Sequence, residues 1–254
     1  MMLSPDIRSN VEYFDTNAPS LGEERAPGFR ELELVQRFSD RRAPPFGTAG
    51  ARAEVGPGTS RLNRLTVGNI VQGVSAVATR DPSDQNPIAV VGYDARTHSP
   101  AFAELTQSVF CGNIINVKAF DRYAPTPLVA FSLLYHGAKV GVVITASHNP
   151  ASDHGIKVFW ENGAQINSPL DEQIAASINS LGSATDIIRM DRAEAQRRGL
   201  LEFIGGKERS AYLQGVAELM PGGDYCRSLD VRPTLIYSAM NGVAGSLMYD
   251  ALRL

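Results

Sequence analysis

The sequence predicts an α/β protein, with a three-layer α/β/α domain around a mixed, mostly parallel sheet and the start of a second similar domain. Strand-like apolar runs alternate with helical segments of about 12 residues, which favours βαβ units. The run "VGVVIT" (140–145) is apolar throughout, as is usual for parallel strands buried on both faces. Hydrophobic residues make up 43% of the 254 positions, so a core of ordinary size can form.

The first part of the chain predicts a helix, a glycine-rich segment and a second helix. Residues 31–45 ("ELELVQRFSDRRAPP") indicate a short helix that ends at a proline pair. Residues 46–63 are dense in glycine, which predicts a strand or loop whose backbone approaches a partner closely. Residues 64–80 have apolar residues at helical spacing.

The middle of the chain carries the alternating units. The helix at 99–112 begins with Ser and Pro and ends on Gly, which are the residues preferred at those helix positions. The predicted elements are a strand in 86–96, a helix at 99–112, a strand at 113–120, a helix at 126–138 and a strand at 139–147.

In the last third of the chain the alternation of strands and helices is weaker. A strand (156–160), a helix (168–182), a polar linker (182–205), a helix (207–220) and a strand, glycine loop and helix start (232–252) are expected in that order. We therefore divide the chain into an N-terminal helical extension (1–45), a first domain (46–205) and an incomplete second domain (206–254).

Composition excludes several classes of protein. The net charge of −3 and the lack of a long basic run argue against nucleic acid as a partner. No apolar stretch reaches the roughly 18 residues that span a bilayer, and the first twenty residues lack an apolar core, so neither membrane nor secretion is expected. Cys111 and Cys226 lie far apart, and reduced thiols in a cytoplasmic protein are the default expectation.

Three loops follow predicted strands and are expected at one edge of the sheet. In open α/β sheets ligands bind beyond the carboxyl ends of the strands. The loops "GYDART", "DRYAPTP" and "TASHNP" should therefore bring Asp94, Arg96, Thr126 and Ser147 onto a shared rim.

The serine of "TASHNP" admits several interpretations. A serine hydrolase would need a base that faces Ser147, but His148 is its immediate neighbour, and adjacent residues of an extended chain point to opposite sides. A simple turn built by Ser147, Asn149 and Pro150 remains an alternative. Zinc is disfavoured because the four histidines, at 98, 136, 148 and 154, lack a partner pattern.

Phosphate chemistry suits the pattern better. "GTAGAR" (47–52) and "GPGTSR" (56–61) each place an arginine after glycine-rich backbone, a composition that can bind anions. Lys157 follows Gly155 on a predicted strand, where its charge could neutralise a phosphoryl oxygen or move a proton. A solvated strand lysine is the alternative.

Five ordered motifs together resemble one family. "FGTAGAR", "GYDAR", "PTPL", "TASHNP" and "DHGIK" are similar to the motifs of the α-D-phosphohexomutase superfamily, the phosphoglucomutases and phosphomannomutases. "FGTAG" with "GPGTSRLN" looks most like the phosphopentomutase-like branch. The resemblance covers roughly residues 30–254, the amino-terminal portion of the family, namely its first domain and the opening of its second.

The resemblance implies a phosphosugar mutase. Ser147 would carry a phosphoryl group and exchange it with a hexose or pentose phosphate through a bisphosphate intermediate, moving phosphate between positions 1 and 6 (or 1 and 5). Mg²⁺ and a sugar bisphosphate activator would be required. The residues implied are Ser147, Lys157, His148 and Arg52 for catalysis, and Arg61, Thr48 and Asn149 for binding the substrate phosphate.

Two departures from the family pattern stand out. The carboxylate metal loop, D-G-D-x-D-R, does not occur in the 254 residues, so within this chain the phosphate on Ser147 would be the metal ligand. We therefore expect a truncated mutase. The alternative is a catalytically inactive fragment that acts as an interaction module, or half of a split enzyme with a complementary C-terminal chain. His154 stands where the family commonly has Asn before a glycine, so a changed turn is expected there.

Overall fold

A computed structural model describes residues 8–11, 44, 46–48, 50–181, 184–220 and 234–254. The helix expected at 31–45 and Cys226 lie outside the described residues, and so does most of the proposed N-terminal extension. Residues 8–11 form a helical turn, and Asn10 Oδ1 accepts a hydrogen bond from the Ala184 amide at 3.0 Å.

The described residues form a seven-stranded mixed sheet, with strand order β1-β2-β6-β5-β3-β4-β7. The strands β5, β3, β4 and β7 are mutually parallel, whereas β1, β2 and β6 pair antiparallel at the other edge. The strand bounds are β1 (Phe46–Gly47), β2 (Gly50–Glu54), β3 (Ile88–Tyr93), β4 (Asn116–Phe120), β5 (Val140–Ile144), β6 (Asp153–Trp160) and β7 (Leu201–Ile204).

Helices cover both faces of this sheet, which confirms the predicted three-layer α/β/α architecture. One apolar layer lies between the sheet and α1, α2, α4 and α5, and the other between the sheet and α3, α6 and α7. The bounds are α1 (Arg64–Ala78), α2 (Ser99–Gly112), α3 (Thr126–Tyr135), α4 (Leu170–Asn179), α5 (Arg192–Arg197), α6 (Gly206–Leu219) and α7 (Gly245–Ala251).

Alternation along β6 shows how one strand serves both layers. Ile156 and Val158 belong to the layer under α1 and α2, whereas Phe159 belongs to the layer under α3. Side chains of a strand point to opposite faces in turn. Lys157 therefore shares the face of Phe159, and His154 shares the face of Ile156.

The chain reverses its direction across the sheet next to β3. The α2 crossover carries the chain from β3 to β4 on one side, and the α3 crossover returns it to β5 on the other side of β3. Such a switch point opens a crevice beyond the carboxyl ends of the two strands, where ligands of α/β proteins bind. The segment after β3 and the Ser147 loop after β5 meet at this crevice.

Two sequence expectations were wrong. Residues 182–205 are not a linker, because they contain α5 and β7, and β7 pairs with β4 as the seventh strand. A four-residue edge strand has too short a pattern to detect, and its buried Leu201 and Ile204 are covered by distant parts of the chain. Residues 234–239 form no strand, and Leu235 and Ile236 in this run are exposed.

The boundary expected between residues 205 and 206 stays a prediction. α6 begins at Gly206 but packs against α3, where the Tyr212 ring meets the Phe131 ring at 5.5 Å. Glu208 of α6 also contacts the His136 ring, Nε2 to Oε1, at 3.0 Å. None of the helices in the described parts of the chain is long and apolar enough to cross a membrane.

Candidate functional site

Ser147 occupies a left-handed backbone conformation just beyond the end of β5. Its φ is 57° and its side chain is exposed. A residue with a side chain pays roughly 1–2 kcal/mol for this conformation, so neighbouring contacts must hold it. One such contact is the Ser147 amide, which donates to Thr145 Oγ1 at 2.9 Å.

Arg96 reaches this loop from the segment after β3. Its Nη2 donates to the carbonyl of Ser147 at 2.9 Å and to that of Asn149 at 2.7 Å, and its Nε lies 3.3 Å from Asp94 Oδ2. The predicted meeting of Asp94, Arg96 and Ser147 at one rim is therefore present. Thr126 begins α3, and the Ala124 amide just before it donates to the Tyr93 carbonyl at the end of β3, at 3.0 Å.

Arg52 and Lys157 lie on the same face of the sheet. Arg52 of β2 pairs with Gly155 of β6, and Lys157 pairs with Gly50, so the two side chains are diagonal neighbours across the strand pair. A Cβ on Gly155 would lie 2.5 Å from the Thr145 carbonyl oxygen and 3.2 Å from Arg52 Cγ. Because Gly155 has no side chain, the Arg52 side chain and the backbone of the serine loop (residues 145–153) can lie close to β6.

Asn149 connects Arg52 to the serine loop. Its Oδ1 accepts a hydrogen bond from Arg52 Nη1 at 3.3 Å, and its Nδ2 donates to Asp153 Oδ2 at 2.9 Å. The loop and β2 are thus joined beside Ser147 through one amide side chain.

The pKa of Lys157 is lower than that of an ordinary lysine. Its side chain is half-buried on β6. Burial lowers the pKa of Lys157, the positive charge of Arg52 lowers it further, and Asp94 opposes both. A lysine with a lowered pKa can give up and regain a proton more easily, which suits a general acid or base.

The structure places the other predicted site residues less closely. His148 lies exposed next to Ser147. Thr48 Oγ1 donates to Asp171 Oδ2 of α4 at 3.3 Å, and Arg61 forms an ion pair with Glu54. The expected roles of Thr48, His148 and Arg61 stay predictions.

The residue before Gly155 differs from expectation. His154 does not form a left-handed turn, because it lies in β6, pairs with Ala53 and is 1% exposed. Gly155 N donates to His154 Nδ1 at 3.0 Å, so the neutral ring carries its proton on Nε2. That nitrogen lies 3.0 Å from Ser99 Oγ, and Ser99 Oγ donates in turn to Asp94 Oδ1.

This buried chain, His154 to Ser99 to Asp94, was missed by sequence reasoning. It contains the residue types of a hydrolase triad, but the Ser99 hydroxyl sits between the other two and is fully buried, so no substrate can reach it. Its one sequence signal was a serine five residues after the aspartate of "GYDAR", at the start of α2.

Cys111 lies on the apolar side of α2 and is fully buried. Its Sγ donates to the Leu200 carbonyl at 3.6 Å, and burial raises the pKa of the thiol to about 11. A buried thiol with a raised pKa is a poor nucleophile, so catalysis by Cys111 is disfavoured.

The described residues do not fit a complete magnesium site. Among them, no group of three or more His, Cys, Asp and Glu side chains could hold a metal ion. Two carboxylates of the site are already engaged, since Asp94 accepts from the Arg96 amide and from Ser99, and Asp153 accepts from Asn149.

Comparison with known families agrees with this geometry. Residues 44–185 match the model of phosphoglucomutase/phosphomannomutase, alpha/beta/alpha domain I, and the matched span includes β1 to β6 and the serine loop. The chain belongs to this family. The resemblance to the α-D-phosphohexomutase superfamily is thereby confirmed.

Relatives extend the match within the phosphohexomutase family. A phosphoglucomutase of Staphylococcus epidermidis is 32% identical over 207 residues, which are 82% of this chain and 36% of the relative. A human phosphopentomutase is 43% identical over 140 residues, 52% of this chain and 23% of the relative. The chain thus spans about a third or less of the length of these curated relatives.

A solved structure shows the same fold. The open form of the Paramecium exocytosis-sensitive phosphoprotein pp63/parafusin, a phosphoglucomutase, aligns with a TM-score of 0.55 and 20% identity. The alignment covers 70% of this chain and 36% of that one.

Proposed function

We propose that this chain supplies the phosphoryl-carrying serine of a phosphosugar mutase. Ser147 takes a phosphoryl group from a hexose or pentose bisphosphate and delivers it to the sugar monophosphate, which shifts phosphate between positions 1 and 6 (or 1 and 5). The observation that carries the proposal is the exposed, left-handed Ser147, with Arg52 bonded to its loop and Lys157 on the neighbouring strand. Membership of the phosphoglucomutase/phosphomannomutase family supports the reaction class.

The transfer step balances without further reactants. A sugar hydroxyl oxygen forms a bond to phosphorus while the bond between phosphorus and Ser147 Oγ breaks. The hydroxyl proton ends on Ser147 Oγ, and we assign its movement to Lys157, because burial and the charge of Arg52 lower the pKa of this lysine and so ease the loss of its proton. The reverse of the same step, at the other phosphate of the bisphosphate, restores the phosphoserine.

Charge neutralisation falls to the basic side chains. Phosphoryl transfer is catalysed mainly by positioning and by electrostatic stabilisation of the phosphoryl oxygens. Arg52 and Lys157 are the cations that the strand register brings together. Because the described residues lack a metal-binding cluster, these steps are assigned to side chains alone, and a role for the Ser147 phosphate as an Mg²⁺ ligand stays a prediction.

The test is phosphoryl capture by the purified 254-residue chain. Incubation with glucose 1,6-bisphosphate should add one phosphoryl group, which intact mass detects and peptide mapping locates at Ser147. The Ser147→Ala variant should gain none. The matched control is Ser152→Ala, since Ser152 is an exposed serine of the same loop and its loss should leave capture unchanged.

A folded chain that never gains a phosphoryl group would overturn the proposal and would favour the inactive-fragment alternative. Capture at Ser152, or equal capture by Ser147→Ala, would overturn the assignment of the serine. With glucose 1-phosphate added, loss of the group from the chain and appearance of bisphosphate would show that the step is reversible.

A further inference from the structure

The Arg96 guanidinium is surrounded by backbone carbonyls of the serine loop. Nη1 donates to Pro150 O at 2.7 Å and to Asp153 O at 2.9 Å. Nη2 donates to Ser147 O at 2.9 Å and to Asn149 O at 2.7 Å. One side chain thus binds four carbonyls within seven consecutive residues.

These contacts and one ion pair engage all three nitrogens of the guanidinium. A guanidinium carries five N–H groups, two on each Nη and one on Nε. The remaining nitrogen, Nε, lies 3.3 Å from Asp94 Oδ2 and forms an ion pair with it. With both Nη groups bonded to carbonyls and Nε paired with Asp94, Arg96 is occupied by the protein rather than by a substrate phosphate. Arg52 differs, because in the described part of the chain its bond to the Asn149 side chain engages only Nη1.

Asp94, supported by Ser99 and His154, fixes the position of Arg96. The Arg96 amide donates to Asp94 Oδ1 at 3.0 Å, and Ser99 Oγ donates to the same oxygen. Ser99 lies 3.0 Å from His154 Nε2 and is fully buried. The chain from His154 through Ser99 to Asp94 therefore fixes the carboxylate against which the guanidinium rests.

We infer that Arg96 is a positioning residue for Ser147. Its planar guanidinium donates to four carbonyls and so fixes the loop in the conformation that keeps Ser147 exposed and left-handed. Asp94, Ser99 and His154 orient the guanidinium. The role assigned to the serine rests on the proposed phosphoryl transfer, but the hold on the loop does not.

Geometry, rather than charge alone, sets the expected effect of substitution. A lysine keeps the positive charge, but its ammonium is a single point with three donors and cannot span four carbonyls as a planar fork does. Arg96→Lys should therefore release the loop almost as fully as Arg96→Gln.

The test is hydrogen exchange of the free chain, measured by mass spectrometry without any sugar phosphate. A peptide spanning 145–153 should exchange about tenfold faster in Arg96→Lys and Arg96→Gln than in the parent, since bonds to a charged donor are among the stronger ones. Exchange in strand β4 should not change. The matched control is Arg122→Lys, because Arg122 lies exposed in the loop after β4 and contacts Asp121.

The outcomes are decisive in both directions. Parent-like protection of 145–153 in Arg96→Lys would overturn the inference, and so would a uniform increase across the sheet, which a merely structural role would cause. If Arg96→Gln fails to fold, Arg96→Lys and Ser99→Ala carry the test, and Ser99→Ala should raise loop exchange by a smaller factor.

A kinetic measurement separates this role from substrate binding. In phosphoryl capture, Arg96→Lys should lower the maximal rate at Ser147 about tenfold with little change in the half-saturating bisphosphate concentration, whereas Arg52→Lys should raise that concentration. An effect of Arg96→Lys on half-saturation alone would overturn the inference. If the parent chain captures no phosphoryl group, the proposed function fails and the exchange result still decides the role of Arg96.

Discussion

Replacing His154 with glutamine should flatten the dependence of stability on pH. Burial lowers the pKa of His154 to about 4 from an ordinary value of 6.5, and the negative charge of Asp94 opposes this only in part. Coulombic interactions with His98 and Arg96 lower the pKa of His154 in the same direction as burial. Between these two values the unfolded chain binds a proton that the folded chain rejects, so stability rises with pH.

The magnitude follows from the shift. About 2.5 pKa units at about 1.4 kcal/mol each correspond to roughly 3 kcal/mol, which is lost as the pH falls from about 6.5 through about 4. About 2 kcal/mol of this should be lost between pH 7 and pH 5. Glutamine cannot titrate, and its amide nitrogen can reach toward Ser99 as His154 Nε2 does.

The assay is urea unfolding at pH 7, 6 and 5, followed by the fluorescence of Trp160, the one tryptophan of the chain, which lies at the end of the same strand. Carboxylates titrate in both proteins, so the difference between the two pH profiles isolates His154. His148→Gln, a change at an exposed histidine, should leave the parent slope unaltered. Equal slopes for His154→Gln and the parent would refute the reasoning.

Two further predictions concern the strand pair beside Ser147. Gly155→Ala should lower the free energy of unfolding by about 1–3 kcal/mol and slow phosphoryl capture, because its Cβ would lie 2.5 Å from the Thr145 carbonyl oxygen and 3.1 Å from that of Ala51. Gly206→Ala, at a helical position with nothing within 4 Å, is the control in the same denaturation assay and should be neutral or stabilising; similar losses in both variants would contradict the steric argument. Arg52→Gln should raise the pKa of Lys157 toward its ordinary value, because a neighbouring positive charge is removed, whereas Arg52→Lys should keep it low. An NMR titration of the lysine side chains measures this, and a pKa that does not rise in Arg52→Gln would show that the two groups are not coupled.

Local pattern was sufficient where structure is local. The βαβ alternation predicted the three layers, and the helix over 99–112 has the predicted bounds. Its N-cap is His98 rather than Ser99, and Gly112 is its last helical residue. The sequence does not predict β7, because four residues at a sheet edge carry little periodicity. The strand predicted from the apolar run at 234–239 does not form, because a strand forms only where a partner strand is available.

The same distinction between local pattern and long-range pairing applies to the site. Ordered motifs sufficed to single out Ser147, Arg52 and Lys157. The rule that loops after parallel strands lie at one edge of the sheet predicted that Asp94 and Arg96 lie near the serine. The buried position of His154 was not foreseen, because it depends on the register of β6 against β2. His154 pairs with Ala53 in the sheet instead of forming the expected turn.

The sequence by itself therefore determined the fold class and the family, and it singled out Ser147, Arg52 and Lys157 as candidates for the site, since all of these follow from short-range patterns and ordered motifs. Only the tertiary structure decided what Arg96 and His154 do. Three of the four carbonyls around Arg96 belong to the loop after β5 and the fourth to Asp153, the first residue of β6. The ring of His154 meets a hydroxyl on α2. Contacts between such distant segments depend on sheet order and register, which no single stretch of residues encodes.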